Sequence, residues 1–557
     1  MRAKVKRIAS LLLSICLVVS LAACNGGGAS SDSSSSEAPA STAESSTAPE
    51  SSEAEALSDA PEASSGGYEG EVVELEFMNM DPAWKVVDFG ADPVTAKFIE
   101  ETGVKFKCSA PQGEWEQVAN VMLAAGDYPD VMHMNVTAIY NQYVAAGALL
   151  PINKLAEEHN FPNITNGTTV PKQVLASRTS DDGNIYVVPN WFSDDGFGSV
   201  GTAMNIRNDI YNEMGTPEIK TADDLYNYLV QIKEANLTSM DGAKLWPLGY
   251  QADDKQYLGY ITNLWGSKIF MFNYFDETDQ QVKFMLREPA LVESLTFLNK
   301  CLQEELLDPE VLTYDPNTRR ESFNQGKHAV IFSEIWELWT PNSAMTQRDP
   351  EMYFYAVEPI QGNADREKFF GRIQKSGTSG TMVTKNCANP EAATRFIDYF
   401  LSPEGEILNF YGVEGNTMEF KDGKPYLYPE AYEAKLADWD GYARSHGVRV
   451  FDFMNSQKYN WEREQESPER QADRAIATKY TFDGTTQSVI IIDPLSSEGI
   501  LLAEIEANIT SELTRIIMEP DASKIPEQVA ALLAEYERKG VEALEAEWTT
   551  QYLAREA

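Results

Sequence analysis

The chain has 557 residues, with 86 Asp and Glu against 45 Lys and Arg and a formal net charge of −41. That charge argues against a nucleic-acid partner and against docking on anionic lipid, while saying nothing of fold. The five cysteines include Cys16 and Cys24 near the N-terminus and the widely separated Cys108, Cys301 and Cys387, which make neither a disulfide framework nor a zinc spacing.

Arg2, Lys4, Lys6 and Arg7 precede an apolar run from Ile8 to Ala23 that is too short for a convincing membrane span. A charged start, an apolar middle and small residues before a cut describe a secretory signal peptide at 1–23. Leu21-Ala22-Ala23-Cys24 resembles the bacterial lipobox, which implies lipidation of Cys24 and anchoring by acyl chains on the extracytoplasmic face of the cell membrane. The following stretch to Gly67 is made almost wholly of Ser, Ala, Gly, Pro, Thr and Glu. It cannot bury enough apolar surface to offset its chain entropy, and 24–67 is expected to be a disordered tether of on the order of 35–40 Å r.m.s. length.

The remaining body, from about 68, is too large for one simple core and is expected to form at least two lobes. Glu71–Met80 reads as a strand, Asp92–Thr102 as a helix closed by Gly103, Val104–Cys108 as a strand, Trp115–Ala125 as a helix and Val131–Met134 as a strand. That alternation is the pattern of a parallel α/β sheet. Thr221 with Asp224 makes an N-cap before the stripe Leu225, Tyr228, Leu229, Ile232. Leu291, Leu295, Leu298, Leu302 and Leu306 fall on one helical face, and Asn389-Pro390-Glu391 starts a helix carrying Phe396, Ile397 and Phe400. The C-terminus is predicted helical in two pieces, about 501–518 and 526–553.

Several segments occur in an order that carries a family resemblance. Gly126-Asp127-Tyr128-Pro129-Asp130-Val131 and Gly147-Ala148-Leu149-Leu150-Pro151-Ile152 come first, then Ile185-Tyr186-Val187-Val188-Pro189. Asn205-Ile206-Arg207-Asn208-Asp209, Met214-Gly215-Thr216-Pro217 and Phe323-Asn324-Gln325-Gly326-Lys327-His328-Ala329 follow. Tyr411-Gly412-Val413-Glu414-Gly415 and Asp422-Gly423-Lys424 complete the set. Together these resemble family 1 extracellular solute-binding proteins of the Gram-positive lipoprotein type. The resemblance implies an α/β, two-lobed, periplasmic-binding-protein-like fold (type II), with lobes joined by crossing strands and a ligand cleft between them. Lobe 1 is expected at 68–190 plus about 375–415, and lobe 2 at about 191–374 plus 416–557. The implied function is capture of a small polar solute, a mono- or oligosaccharide, for the permease subunits of an ABC importer, by a monomer without cofactor or metal.

A sugar presents apolar C–H faces and a rim of hydroxyls, so a site for it needs aromatic planes with polar side chains at their edges. Residues at strand ends are the candidates: Trp84 after the first strand, Asn135 after Val131–Met134, and Trp191 after Pro189. Trp265 follows a helix-like run, Glu334, Trp336 and Trp339 follow the strand Ala329–Phe332, and Arg372 precedes the return to the first lobe. The position of Trp336 and Trp339 resembles that of sugar-stacking tryptophans in maltose-binding proteins. Gly326-Lys327 lacks the remainder of a phosphate loop, His133, His159, His328 and His446 are scattered, and no G-x-S-x-G occurs. Two other classes stay open: a lipid-anchored carbohydrate-active enzyme, since paired carboxylates are easily met among 86 acids, and a peptide-binding surface lipoprotein.

Overall fold

The computed structural model describes residues 67–81, 84–180, 182–193, 201–252, 255–456 and 458–556. The leader, Cys24 and the tether lie outside the described residues. Among the described residues, fifteen strands, numbered here in chain order, form two principal sheets and three small ones.

The first sheet is assembled from β1 (Val73–Asn79), β2 (Val104–Ser109), β3 (Val131–Asn135), β4 (Val188–Pro189) and β12 (Ser379–Val383). Its spatial order is β2-β1-β3-β12-β4. The three early strands are mutually parallel, as their βαβαβ spacing requires, and β12 returns antiparallel to both β3 and β4. The intervening helices are Pro93–Thr102 and Trp115–Ala125, each stopped by a left-handed glycine, Gly103 and Gly126. Asp92 caps the first by accepting from Thr95 N at 2.8 Å. Strand β4 is shorter than the run Ile185–Pro189 implied.

The second sheet contains β5 (Thr202–Arg207), β6 (Trp246–Tyr250), β9 (His328–Glu334) and β10 (Phe354–Val357) in the order β10-β5-β9-β6. Only β6 and β9 run parallel; the other pairs are antiparallel. The helix Ala222–Ala235 covers it through buried Leu225, Tyr228, Leu229 and Ile232. It begins in a reciprocal capping box of Thr221 and Asp224. The helix Pro289–Gln303 buries Leu291, Leu295 and Leu298, but Leu306 lies beyond its end, because Glu305 takes a positive φ of 52° and turns the chain.

The small sheets are the hairpin β7–β8 (Asn273–Asp276 and Gln281–Phe284), the hairpin β13–β14 (Met418–Lys421 and Lys424–Leu427), and the parallel pair of β11 (Gly371–Ile373) with β15 (Thr481–Asp483). In β13–β14 the two-residue loop is Asp422-Gly423, both at positive φ, which is what a tight hairpin with the natural strand twist demands. The Asp-Gly-Lys motif therefore has a structural cause.

Two apolar cores accompany the two large sheets. The first centres on Phe77, Phe106 and Phe396, and the second on Leu229, Phe332 and Leu295. The expectation that 416–557 belongs wholly to the second lobe needs correction. Tyr442, Val448, Val450, Phe451 and Met454 are buried in the first core, where Phe451 meets Phe77, Phe89 and Phe396 at 5.6–6.2 Å. Leu501, Ile505, Ile509 and Leu513, from the helix Ser497–Ile517, join the second core. The final helical stretch is also divided, into Ile525–Lys539 and Val541–Glu556, by Gly540 at φ 99°. Cys108, Cys301 and Cys387 are free thiols.

Candidate functional site at the crossing strands

The chain leaves the first sheet at the carboxyl end of β4 and enters the second at the amino end of β5. It returns through β11 into the amino end of β12. The crossings therefore join the carboxyl-end edge of the first sheet to the β5–β9 end of the second. Register aligns Asn79 with His133, Ser379 with Asn135 and Gly380 with Pro189 along the first edge. Along the second edge it aligns Thr202 with Glu334 and Tyr250 with Phe332. In parallel α/β sheets, ligands bind beyond such carboxyl ends.

The first edge is polar behind and aromatic in front. His133 is buried, with Nδ1 3.0 Å from Thr381 Oγ1 and Nε2 3.0 Å from Ser379 Oγ. Loss of hydration pushes its pKa down to about 3, so it stays neutral at physiological pH and works as a fixed hydrogen-bonding group. Asn79 is buried; its Oδ1 accepts from Asp81 N, and its Nδ2 has no partner among the described residues. Asn190 binds Ser379 N through Oδ1 and accepts from Gly377 N through its carbonyl. A Cβ at Gly377 would sit 2.0 Å from Asn190 Oδ1, so the crossing strand passes there only as glycine. In front, Phe453 lies 4.5 Å from the His133 ring and 5.8 Å from Trp84.

Of the predicted residues, Trp84 is half-buried in this aromatic group, with Nε1 donating to Val450 O at 3.0 Å. Asn135 is exposed at the end of β3. Trp191 is 42 % exposed at the first crossing; its Nε1 donates to Asp452 O at 2.6 Å and its backbone N–H to Asn455 O at 2.5 Å, leaving ring surface available. Glu334 ends β9, and Trp336, 37 % exposed, follows on a 3-10 turn. The Trp336 ring lies against Gly201, where a Cβ would come within 1.6 Å of it. Arg372 lies on β11, stacked 3.9 Å over the Phe270 ring and bonded to Gln256 and Gln374.

Two predicted residues do not join this set. Trp265 is only 4 % exposed, packs on Phe297 at 5.4 Å and belongs to the second core. Gly362 is pressed so closely on its ring that a Cβ would come within 2.4 Å. A ring so enclosed has no face for a ligand. Trp339 is half-buried at a helix start, with the guanidinium groups of Arg470 and Arg474 over its ring at 4.6 and 5.4 Å. Phe453, Asn190 and the His133 group were not found from the sequence, because their partners are distant in the chain: Asn190 meets Ser379, and His133 meets Thr381 and Phe453. Phe453 had the only local signal, an aromatic in the dense run Phe451-Asp452-Phe453.

Aromatic planes and buried hydrogen-bonding groups at the strand ends that the crossings join are those of a two-lobed ligand-capturing protein. Among the described residues, no group of three or more His, Cys, Asp or Glu is placed to hold a metal ion, and no helix is long and apolar enough to cross a membrane.

The comparisons agree with that class. The profile of the family described as bacterial extracellular solute-binding protein matches residues 89–407. The chain belongs to this family, whose members bind substrates rather than transform them. It is 21 % identical over 355 residues to the fructooligosaccharide ABC transporter substrate-binding protein FusA of Streptococcus pneumoniae serotype 4 (strain ATCC BAA-334 / TIGR4), covering 62 % of this chain and 64 % of FusA. It is 22 % identical over 343 residues to lipoprotein LipO of Bacillus subtilis (strain 168), covering 58 % and 63 %. The chain thus spans slightly under two thirds of each of these relatives. Among solved structures, alginate-binding protein AlgQ2 without calcium ion superposes with a TM-score of 0.66 at 21 % identity, over 86 % of this chain and 98 % of that one. FusA from S. pneumoniae in complex with kestose gives 0.64 at 17 % identity, over 87 % and 99 %. The two-lobed fold expected from sequence is that of these neighbours.

Proposed function

We propose that this chain is the substrate-binding component of an ABC importer, capturing a mono- or oligosaccharide between its lobes and handing it to membrane permease subunits. The observation that carries the reading is the exposure of Trp191 and Trp336 at the strand ends that the crossings join, with the buried polar groups His133, Asn79 and Asn190 at the first of them. Indole faces stack on sugar C–H surfaces, and the buried groups of His133 and Asn190, bonded to Thr381 and Ser379, brace the strand ends behind them. FusA, a relative by sequence and structure, is named for fructooligosaccharide transport, which supports the same ligand class here. Lipidation of Cys24 holds the body at the extracytoplasmic face of the membrane, with 24–67 as its tether and a monomeric body beyond it; the lipoprotein relative LipO supports the anchor.

Thermal denaturation of the purified body against mono-, di- and oligosaccharides tests the ligand class. A ligand bound only by the folded state at one hundred times its Kd adds about 2.7 kcal/mol of stability and raises the melting temperature by several degrees. A rise with peptides and none with any saccharide would sink the reading.

A further inference from the structure

Beside the crossings, on the flank of the first lobe, the helix Lys172–Ser177 and the crossing residues Ser193 and Lys375 enclose a half-open pocket of about 290 Å³. Three observations make it unlike the rest of the surface. First, its described lining includes Lys172 and Lys375 and no Asp or Glu, in a chain where acids outnumber bases 86 to 45. Second, Ser193 belongs to the lining and is more than nine-tenths buried, yet its Oγ has no hydrogen-bond partner among the described residues. A buried hydroxyl without a partner calls for a missing acceptor or donor. Third, behind the pocket rather than in its lining, Arg178 directly after that helix is buried, and among the described residues it bonds Ser376 Oγ at 3.2 Å and Gly377 O at 2.6 Å while its Nε has no partner. Burial lowers its pKa to about 10, with Arg555 acting in the same direction, so it remains a cation at neutral pH. Among the described residues, the partners of Lys375 Nζ are Gln173 Oε1 at 3.2 Å and, at 4.0 Å, Asp483.

We propose that this pocket is a second ligand site, separate from the one between the aromatic edges, and that it takes an oxyanion-bearing molecule of monosaccharide size, such as a hexuronate or a sugar phosphate. Lys172 and Lys375 supply the charge-assisted donors and Ser193 Oγ a short hydrogen bond. The volume is that of on the order of ten water molecules, which suits one sugar ring with its anionic group. Because Ser193 and Lys375 lie on two different crossings, an occupant ties both to the first lobe.

The test is isothermal titration of the folded chain with D-glucuronate, inorganic phosphate and D-glucose at fixed ionic strength. The expected result is saturable binding of glucuronate, and more weakly of phosphate, falling as salt rises, with no binding of glucose that depends on this pocket. Lys172→Glu, an exposed charge reversal that leaves the fold intact, and Lys375→Met are each expected to weaken glucuronate at least tenfold, with melting curves confirming folded protein. The proposal is overturned if neither anion binds saturably up to roughly 10 mM. It is equally overturned if both variants bind glucuronate as the parent does. Loss of anion binding in these variants with saccharide binding between the lobes retained would separate this site from the proposed transport function.

Discussion

Trp265 and Trp336 have the same side chain and opposite situations. Trp265 is enclosed by Phe297 and Gly362 in the second core, whereas Trp336 rests on Gly201 and stays 37 % exposed. Removing a buried indole forfeits its transfer free energy and leaves a cavity, so Trp265→Ala is expected to lower unfolding free energy by about 3–5 kcal/mol in urea denaturation. The remaining folded molecules should bind saccharide as before. Trp336→Ala is expected to change stability by less than about 1 kcal/mol and weaken saccharide binding at least tenfold by titration calorimetry. The reverse pattern would move the ligand site away from the β9 edge. Trp191 stands between these cases: its indole N–H and its backbone hold it to the 452–455 loop, at a positive φ of 43°, and its ring stays 42 % exposed.

At the scale of elements, the helix Pro403–Tyr411 is latched to the chain that leaves the first lobe after Met454. Glu406 is buried and accepts from Ser456 N at 2.8 Å and Ser456 Oγ at 2.5 Å, and Asn409 Nδ2 donates to Asn455 Oδ1 at 2.8 Å. Burial pushes the Glu406 carboxyl up from 4.5 to about 7, with Ser456 and Lys458 acting against the rise. A carboxyl whose folded pKa exceeds its unfolded value contributes stability that is complete below about 4.5 and is lost as pH climbs through about 7. The melting temperature is therefore expected to fall between pH 5 and pH 8, by an amount corresponding to a few kcal/mol at most. Glu406→Gln keeps an acceptor for Ser456 N and gives its Oγ a donor, so it should flatten that fall; an equally steep fall in the variant would contradict this account of the latch.

Elements of this kind were unevenly legible in the sequence. Asp92, Gly103, Thr221 with Asp224, and Asn389 act locally, and the helices they bound lie within a few residues of their predicted limits. The strands β1, β2 and β3 were legible for the same reason. What local pattern could not carry is partnership at a distance. Phe451 joins Phe77 and Phe396 across long loops, and Trp265 has the same local surroundings whether it faces a cleft or a core.

For the whole molecule, the fold links two sheets through crossings that include Gly377, where close approach to Asn190 leaves no room for a side chain. The 416–500 region begins on the first lobe, through Val448 and Phe451, and ends beside the second, where the helix Pro468–Lys479 packs on β10 and Asp473 accepts from Ala356 N at 2.7 Å. It is thus another connection between the lobes, and any relative motion must pass through it. A ligand touching both lobes favours the closed arrangement only by its differential affinity for that state. Small-angle X-ray scattering of the folded body, without and with a saturating oligosaccharide that raises its melting temperature, tests this most directly. The account predicts a smaller radius of gyration in the presence of sugar, and the sugar recovered chemically intact. An unchanged radius, or a sugar returned as hydrolysed product, would contradict it.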